Sequence, residues 1–174
     1  MSDSKGVILG VGNILHSDDG IGIKILKYLE SQFQFPEEIE LVDGGTVGAQ
    51  LDRTIVNKDW IIIIDALDVK GPVGEVRVLC GEDFINRPGI IKMSPHQVGF
   101  LDLIQLMKME GTEPKQIDLI GVIPANTNDG FEMAPEVDAA VNTVVEKLLV
   151  LLKQKGLVPE KRTPPLEPDY WWLR

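Results

Sequence analysis

Short, continuous apolar runs alternate along this chain with segments whose apolar positions recur every three or four residues. The runs Val7 to Val11, Ile39 to Val42, Asp59 to Leu67 (with Ile61 to Ile64 unbroken) and Ile117 to Val122 predict strands buried on both faces of a parallel sheet. Between them, Ile21, Ile25, Leu26 and Leu29 predict a first helix, a second runs from about Val47 to Val56, and Val98, Leu101, Ile104 and Leu106 predict a third. Val137, Val141, Val144, Val145, Leu148 and Leu152 predict a long closing helix that Gly156 stops. The run Gly74 to Cys80 follows Asp65 after a short Lys70-Gly71-Pro72 turn, which leaves no room for a parallel crossover, so it is expected to run antiparallel. This order predicts a three-layer α/β fold: a mostly parallel five-stranded sheet with one antiparallel strand and helices on both faces. From Leu157 onward, Pro159, Pro164, Pro165 and Pro168 break any periodicity, and the chain finishes in Tyr170-Trp171-Trp172. Residues 1–156 are therefore expected to form a single domain and 157–174 a tail outside it, dispensable for folding.

Composition narrows the setting. With 174 residues and 44% hydrophobic content, the chain can bury one good core. A net charge of -10 leaves little positive surface for phosphates, which argues against nucleic acid or an anionic membrane as partner. Cys80 is the only cysteine, no charged-then-apolar leader opens the chain, and the longest aliphatic runs fall far short of the ~20 residues of a membrane helix. A cytoplasmic protein without membrane insertion is expected.

The chemistry gathers at strand ends. Gly10-Val11-Gly12 to Asp18-Asp19-Gly20 is a strand-to-helix corner, with Asp18 or Asp19 placed to cap the helix. In a doubly wound sheet, Asp19, Asp43 and Asp65 all follow strands at one edge, and His96 in Ser94-Pro95-His96 can join them. Two or three carboxylates with one imidazole suit a divalent transition ion such as nickel or zinc. The competing role for each Asp is a turn former, and for His96 a structural cap. His16 is either a further ligand or a solvent-facing loop residue. The backbone of Gly44-Gly45-Thr46 can pair with an extended substrate strand, or simply make a tight turn. Cys80 lies in a predicted strand, where a buried, inert thiol is expected, and no Ser-His-Asp, Cys-His or His-Glu-x-x-His pattern is visible. Gly10-x-Gly12 followed by Asp43 raises a dinucleotide-binding oxidoreductase. Leu15 at the third glycine position and two acids at the helix start oppose it.

Taken in order, Gly10-Val11-Gly12-Asn13 with Asp18-Asp19-Gly20, Asp43-Gly44-Gly45-Thr46, Asp65-Ala66, Ser94-Pro95-His96-Gln97 and Gly121-Val122-Ile123-Pro124 resemble the hydrogenase maturation endopeptidases, from about Gly6 to Lys155. That family removes a C-terminal extension from the large subunit of nickel-iron hydrogenases. The resemblance implies a phosphorylase/hydrolase-like fold and a metal-dependent endopeptidase in which Asp19, Asp65 and His96 are the catalytic, metal-contacting residues. It also implies that the nickel arrives in the large-subunit precursor and that cadmium or zinc can take its place; a monomer is expected, though the sequence does not fix the oligomeric state. A non-catalytic nickel carrier with the same ligands is the rival reading. His16 stands where the family has an apolar residue, and the aromatic tail has no counterpart in the family pattern.

Overall fold

Strands β1 (Gly6–Val11) and β4 (Trp60–Ala66) are buried at every position, as their unbroken apolar runs require. The computed structural model describes residues 5–45, 51–81, 83 and 95–174, with residues 95–98 in backbone only. With β3 (Ile39–Gly45), β5 (Val76–Cys80) and β6 (Gln116–Val122) they form a five-stranded sheet in the order β3-β1-β4-β6-β5. All neighbours are parallel except β5 and β6, so the expected sheet, with its one antiparallel strand, is the one observed. The short turn after β4 reverses the chain, but β5 pairs with β6 and not with β4. The isoleucine-rich β4 is thereby flanked on both sides, and the more polar β5 takes the edge.

Each face has its own core. Helix α1 (Ile21–Gln32) and the closing helices cover the face carrying Ile8, Ile62 and Ile64. The single turn α2 (Asp52–Ile55) and the long α3 (Pro95–Glu110) cover the face carrying Leu9, Ile61 and Ile63. Of the expected helix over Val47–Val56, the portion before Leu51 lies outside the described residues. Helix α3 runs on to Glu110, beyond its expected apolar positions, and Leu106, expected on its apolar face, is exposed, while Met107 is buried in its place. The closing helix is two: α4 (Pro135–Ala139) and α5 (Val141–Gln154) meet at Ala140. Gly156 ends α5 at φ +75, and the Leu157 N–H returns to the Leu152 carbonyl at 3.0 Å, a left-handed C-terminal cap.

The tail is tied to the body. Strand β7 (Glu160–Lys161) pairs antiparallel with β2 (Phe33–Gln34) at the end of α1. Arg162 Nε donates to the carbonyls of Glu30 and Phe33 at 3.1 and 3.0 Å, and the Leu166 N–H donates to Ser31 O at 2.9 Å. These bonds satisfy carbonyls that a helix C-terminus leaves open. Truncation after Lys155 should still leave a cooperatively folding domain, with a thermal midpoint lowered by the loss of these contacts; a chain that no longer unfolds cooperatively would make the tail part of the core. Burial, then the charge of Asp138, then that of Tyr28 push the Tyr170 phenol up to about 12. Its raised value means that docking is fully stabilised below pH ~10, the ordinary tyrosine value, and is lost as pH rises through about 12. Phenolate absorbance followed against pH should show one tyrosine titrating late.

Candidate active site

The strand order reverses at β1. From β1 the chain moves outward through α1 to β3, then returns through α2 to β4 on the other side of β1. A crevice at the carboxyl ends of β1 and β4 is the expected place for a site in such a sheet. Main-chain contact holds it tight: a Cβ on Gly22 would lie 2.2 Å from Val11 O and 2.3 Å from Ile64 O. The start of α1 is therefore seated directly on the ends of the two strands.

Asp19 sits three residues before that seat, in a 3-10 turn spanning Ser17–Gly20, and is 6% exposed. Gly12, at φ +132, permits the fold-back, because a Cβ there would come within 1.8 Å of Asp19 O. The Asn13 N–H donates to Asp19 Oδ2 at 2.9 Å. Ser17, a non-glycine residue at φ 48, turns the chain into the 3-10 segment, and its N–H is fixed on Gly130 O at 2.8 Å.

Neither aspartate caps α1, contrary to the expectation from their position. Asp18 is fully buried, and its carboxylate gathers the loop that follows β6. Oδ2 accepts from the N–H groups of Ala125 and Asn126 at 2.8 and 3.1 Å, and Oδ1 from that of Ala134 at 2.7 Å. The staple is closed by a parallel bridge between His16 and Gly130. His16 Nε2 lies 3.7 Å from the exposed Asp129 carboxylate, on the outer side of this loop. The adjacent acids of the sequence thus divide into a loop anchor and a site candidate, which local pattern alone could not separate.

Asp65 ends β4 with no exposed surface, and its Oδ1 accepts the Ala66 N–H at 2.8 Å. By strand alternation it shares the face of Ile61 and Ile63, the face that α3 covers through Phe100, Ile104 and Met107. The far end of α3 lies at the amino edge of the sheet, where Thr112 O accepts from Asn57 N and Lys115 N donates to Lys58 O. Sixteen helical residues rise about 24 Å, enough to span the sheet. The first turn of α3, which carries His96, therefore stands at the carboxyl edge with Asp65. The His96 side chain lies outside the described atoms. Among the described residues no three of His, Cys, Asp and Glu are grouped so as to hold a metal ion.

The other candidates fall elsewhere. Asp43 is exposed at the end of β3, and its Oδ1 accepts the Gly45 N–H at 2.9 Å, the turn-forming role. Gly44 is the extra residue of a bulge between β3 and β1, and Gly45 follows at φ +46 with its carbonyl receiving the Gly12 N–H at 2.8 Å. Thr46 lies outside the described residues. Cys80 is in a strand as expected, but it is exposed and not core, because β5 is an edge strand of the sheet. It pairs with Asp118, whereas Asp65 pairs with Gly121, so the thiol lies about 10 Å down the sheet from the carboxylate edge. Cys80→Ser should accordingly leave catalysis within about twofold of the parent, since the thiol stands about 10 Å from the carboxylate edge; a folded but inactive Cys80→Ser protein would place the thiol in the reaction.

The hydrogenase maturation protease profile, HycI, matches residues 23–151. The chain is 35% identical over 154 residues to the hydrogenase 2 maturation protease of Escherichia coli (strain K12), covering 87% of this chain and 92% of that one. It is 36% identical over 163 residues to the hydrogenase expression/formation protein HoxM of Cupriavidus necator, with 93% and 81% covered. The solved hydrogenase maturating endopeptidase HybD from E. coli superposes with a TM-score of 0.84 at 33% identity, over 92% of this chain and 99% of that one.

Proposed function

We propose a substrate and a site for a chain that belongs to the hydrogenase maturation protease family and is a maturation endopeptidase. It removes the C-terminal extension of a nickel-iron hydrogenase large-subunit precursor, and Asp19, Asp65 and His96 contact the nickel that this precursor carries. One observation supports the reading above others: Asp19, in the turn that follows β1, and Asp65, near the end of the neighbouring β4, are both buried where the strand order reverses. Two carboxylates and one imidazole fit a borderline transition ion, but form a sparse donor set. Such a set suits a metal that arrives with its own protein ligands better than one resident in the free enzyme.

In this reading the carboxylates of Asp19 and Asp65 and a neutral His96 ring complete a coordination shell begun by the precursor, which places the scissile bond at the crevice. Nickel supplies Lewis-acid polarisation, of the peptide carbonyl or of a water. Gly44 lies in the outer strand β3, whose main-chain edge would pair with an extended substrate segment, as edge strands do. No helix among the described residues is long and apolar enough to cross a membrane. The deciding experiment is a processing assay with nickel-loaded and nickel-free precursor. Cleavage is expected of the former alone; efficient cutting of nickel-free precursor in the presence of a chelator would overturn the metal-directed reading and leave the protease assignment in place.

A further inference from the structure

Beside the carboxylate edge lies a groove of about 330 Å³. Ile14 and Gly20, which flank the Asp19 turn, form one side of it, and Phe131 and Met133, from the loop that Asp18 anchors, form another. Trp172 and Leu173, from the tail, form a third wall, and Lys24, Glu132 and Asp138 supply the groove's charged groups. The groove is thus continuous with the Asp19 turn but completed by a segment more than a hundred residues away in sequence.

That wall is fixed in place. Strand β7, Arg162 and Leu166 fasten the tail to the end of α1, and farther on Lys24 Nζ stands 5.5 Å from the centre of the Tyr170 ring. Tyr170 packs on Trp172 at 5.4 Å, and Trp172 on Trp171 edge to face at 5.8 Å. The groove's lysine is already neutralised, because Lys24 Nζ contacts Asp138 Oδ1 at 2.6 Å. With that pair closed, the groove presents the side chains of Ile14, Phe131, Met133, Trp172 and Leu173 beside Ser17 and the acidic Glu132, a lining that disfavours a carboxylate and favours a hydrocarbon side chain. Phe131 and Leu173, which line it, and Trp171, packed on Trp172, are each more than half exposed. Clustered exposed apolar residues of this kind mark surfaces that another molecule covers. The volume sits at the small end of the roughly 300–1,000 Å³ range of ligand sites, so it suits a side chain or two better than a cofactor.

We propose that this groove receives an apolar side chain of the precursor's C-terminal segment when the scissile bond lies at Asp19, which makes Trp172 and Leu173 specificity-determining residues supplied by the tail. The proposal rests on the precursor-processing reading above, and its test is arranged so that the two fail separately. Full-length protein and the Trp172→Ala, Leu173→Ser and Trp172→Phe variants are compared on nickel-loaded precursor, in both direct binding and processing. Truncating one packed anchor should weaken binding and raise KM by about tenfold in Trp172→Ala and Leu173→Ser, with kcat changed little, and Trp172→Phe should recover most of the loss. Replacing the apolar residues flanking the cut one at a time by serine should find one position whose penalty disappears in the Trp172→Ala background. Variants that bind and process precursor like the parent, with no such position, would sink the groove while the protease reading stands. A parent protein that binds precursor but never cuts it would sink the protease reading, and the binding series alone would then decide the groove.

Discussion

Asp19→Asn, Asp65→Asn and His96→Ala should each lower precursor cleavage by at least about a hundredfold, the scale on which losing one charge-stabilising group is felt at a reaction centre. The asparagines are chosen because they retain an oxygen for the bonds that hold these residues. Asn13 N–H can still donate at position 19, and Ala66 N–H at position 65. What disappears is the negative charge, so each protein should keep the parent's circular dichroism and cooperative unfolding while losing the reaction. Loss should appear in binding of nickel-loaded precursor as well as in turnover, because the same three groups are proposed to recognise the ion and to place the bond. An Asp19→Asn protein that processes precursor at the parent rate would remove Asp19 from the site, and the crevice would need another assignment.

The neighbouring aspartate should behave in the opposite way. Asp18→Ala removes an acceptor that receives the N–H groups of Ala125, Asn126 and Ala134 from within a fully buried position. Charge-assisted bonds contribute about 1.5–3 kcal/mol each when measured singly, and bonds sharing one carboxylate do not add, so a loss of roughly 2–4 kcal/mol is expected. Denaturant unfolding measures it, and a loss below about 1 kcal/mol would show that the loop is held mainly by the His16–Gly130 bridge. Two adjacent acids would then be told apart by assay: one change abolishes cleavage in a stable protein, the other weakens a protein whose residual folded fraction retains its charge at the site.

Much of this architecture was legible because unbroken apolar runs such as Ile61 to Ile64 are explained most simply by burial on both sheet faces. The antiparallel direction of β5 followed from a turn too short for a crossover, but its partner did not, since pairing with β6 depends on where a strand made forty residues later inserts. The break at Ala140 was hidden for a different reason: the apolar spacing runs through it without interruption, from Val137 to Val141 and Val144. Cys80 was misplaced because a strand's apolar content says nothing about whether that strand ends up at an edge. The division of labour between Asp18 and Asp19 lies deeper still, since the amides that claim Asp18 come from over a hundred residues away. The tail's attachment left no periodic signature, because it is made by backbone bonds, one arginine and scattered contacts such as Lys24 with Tyr170, which share no regular spacing.

The seat of Gly22 on Val11 O and Ile64 O bears on how this protein tolerates change over generations. Most core spacings relax when a leucine becomes a methionine or a valine an isoleucine, and the elements on either side drift by a fraction of an ångström. Here the spacing between α1 and the two strands is set by main chain against main chain, with no side chain to absorb a substitution. Hydrophobic positions such as Ile25, Leu29 or Ile104 can therefore diverge while the offset between the Asp19 turn and the end of β4 stays constant. A library that randomises those apolar positions should yield many active proteins of varied stability, whereas one that admits even alanine at Gly12 or Gly22 should yield almost none.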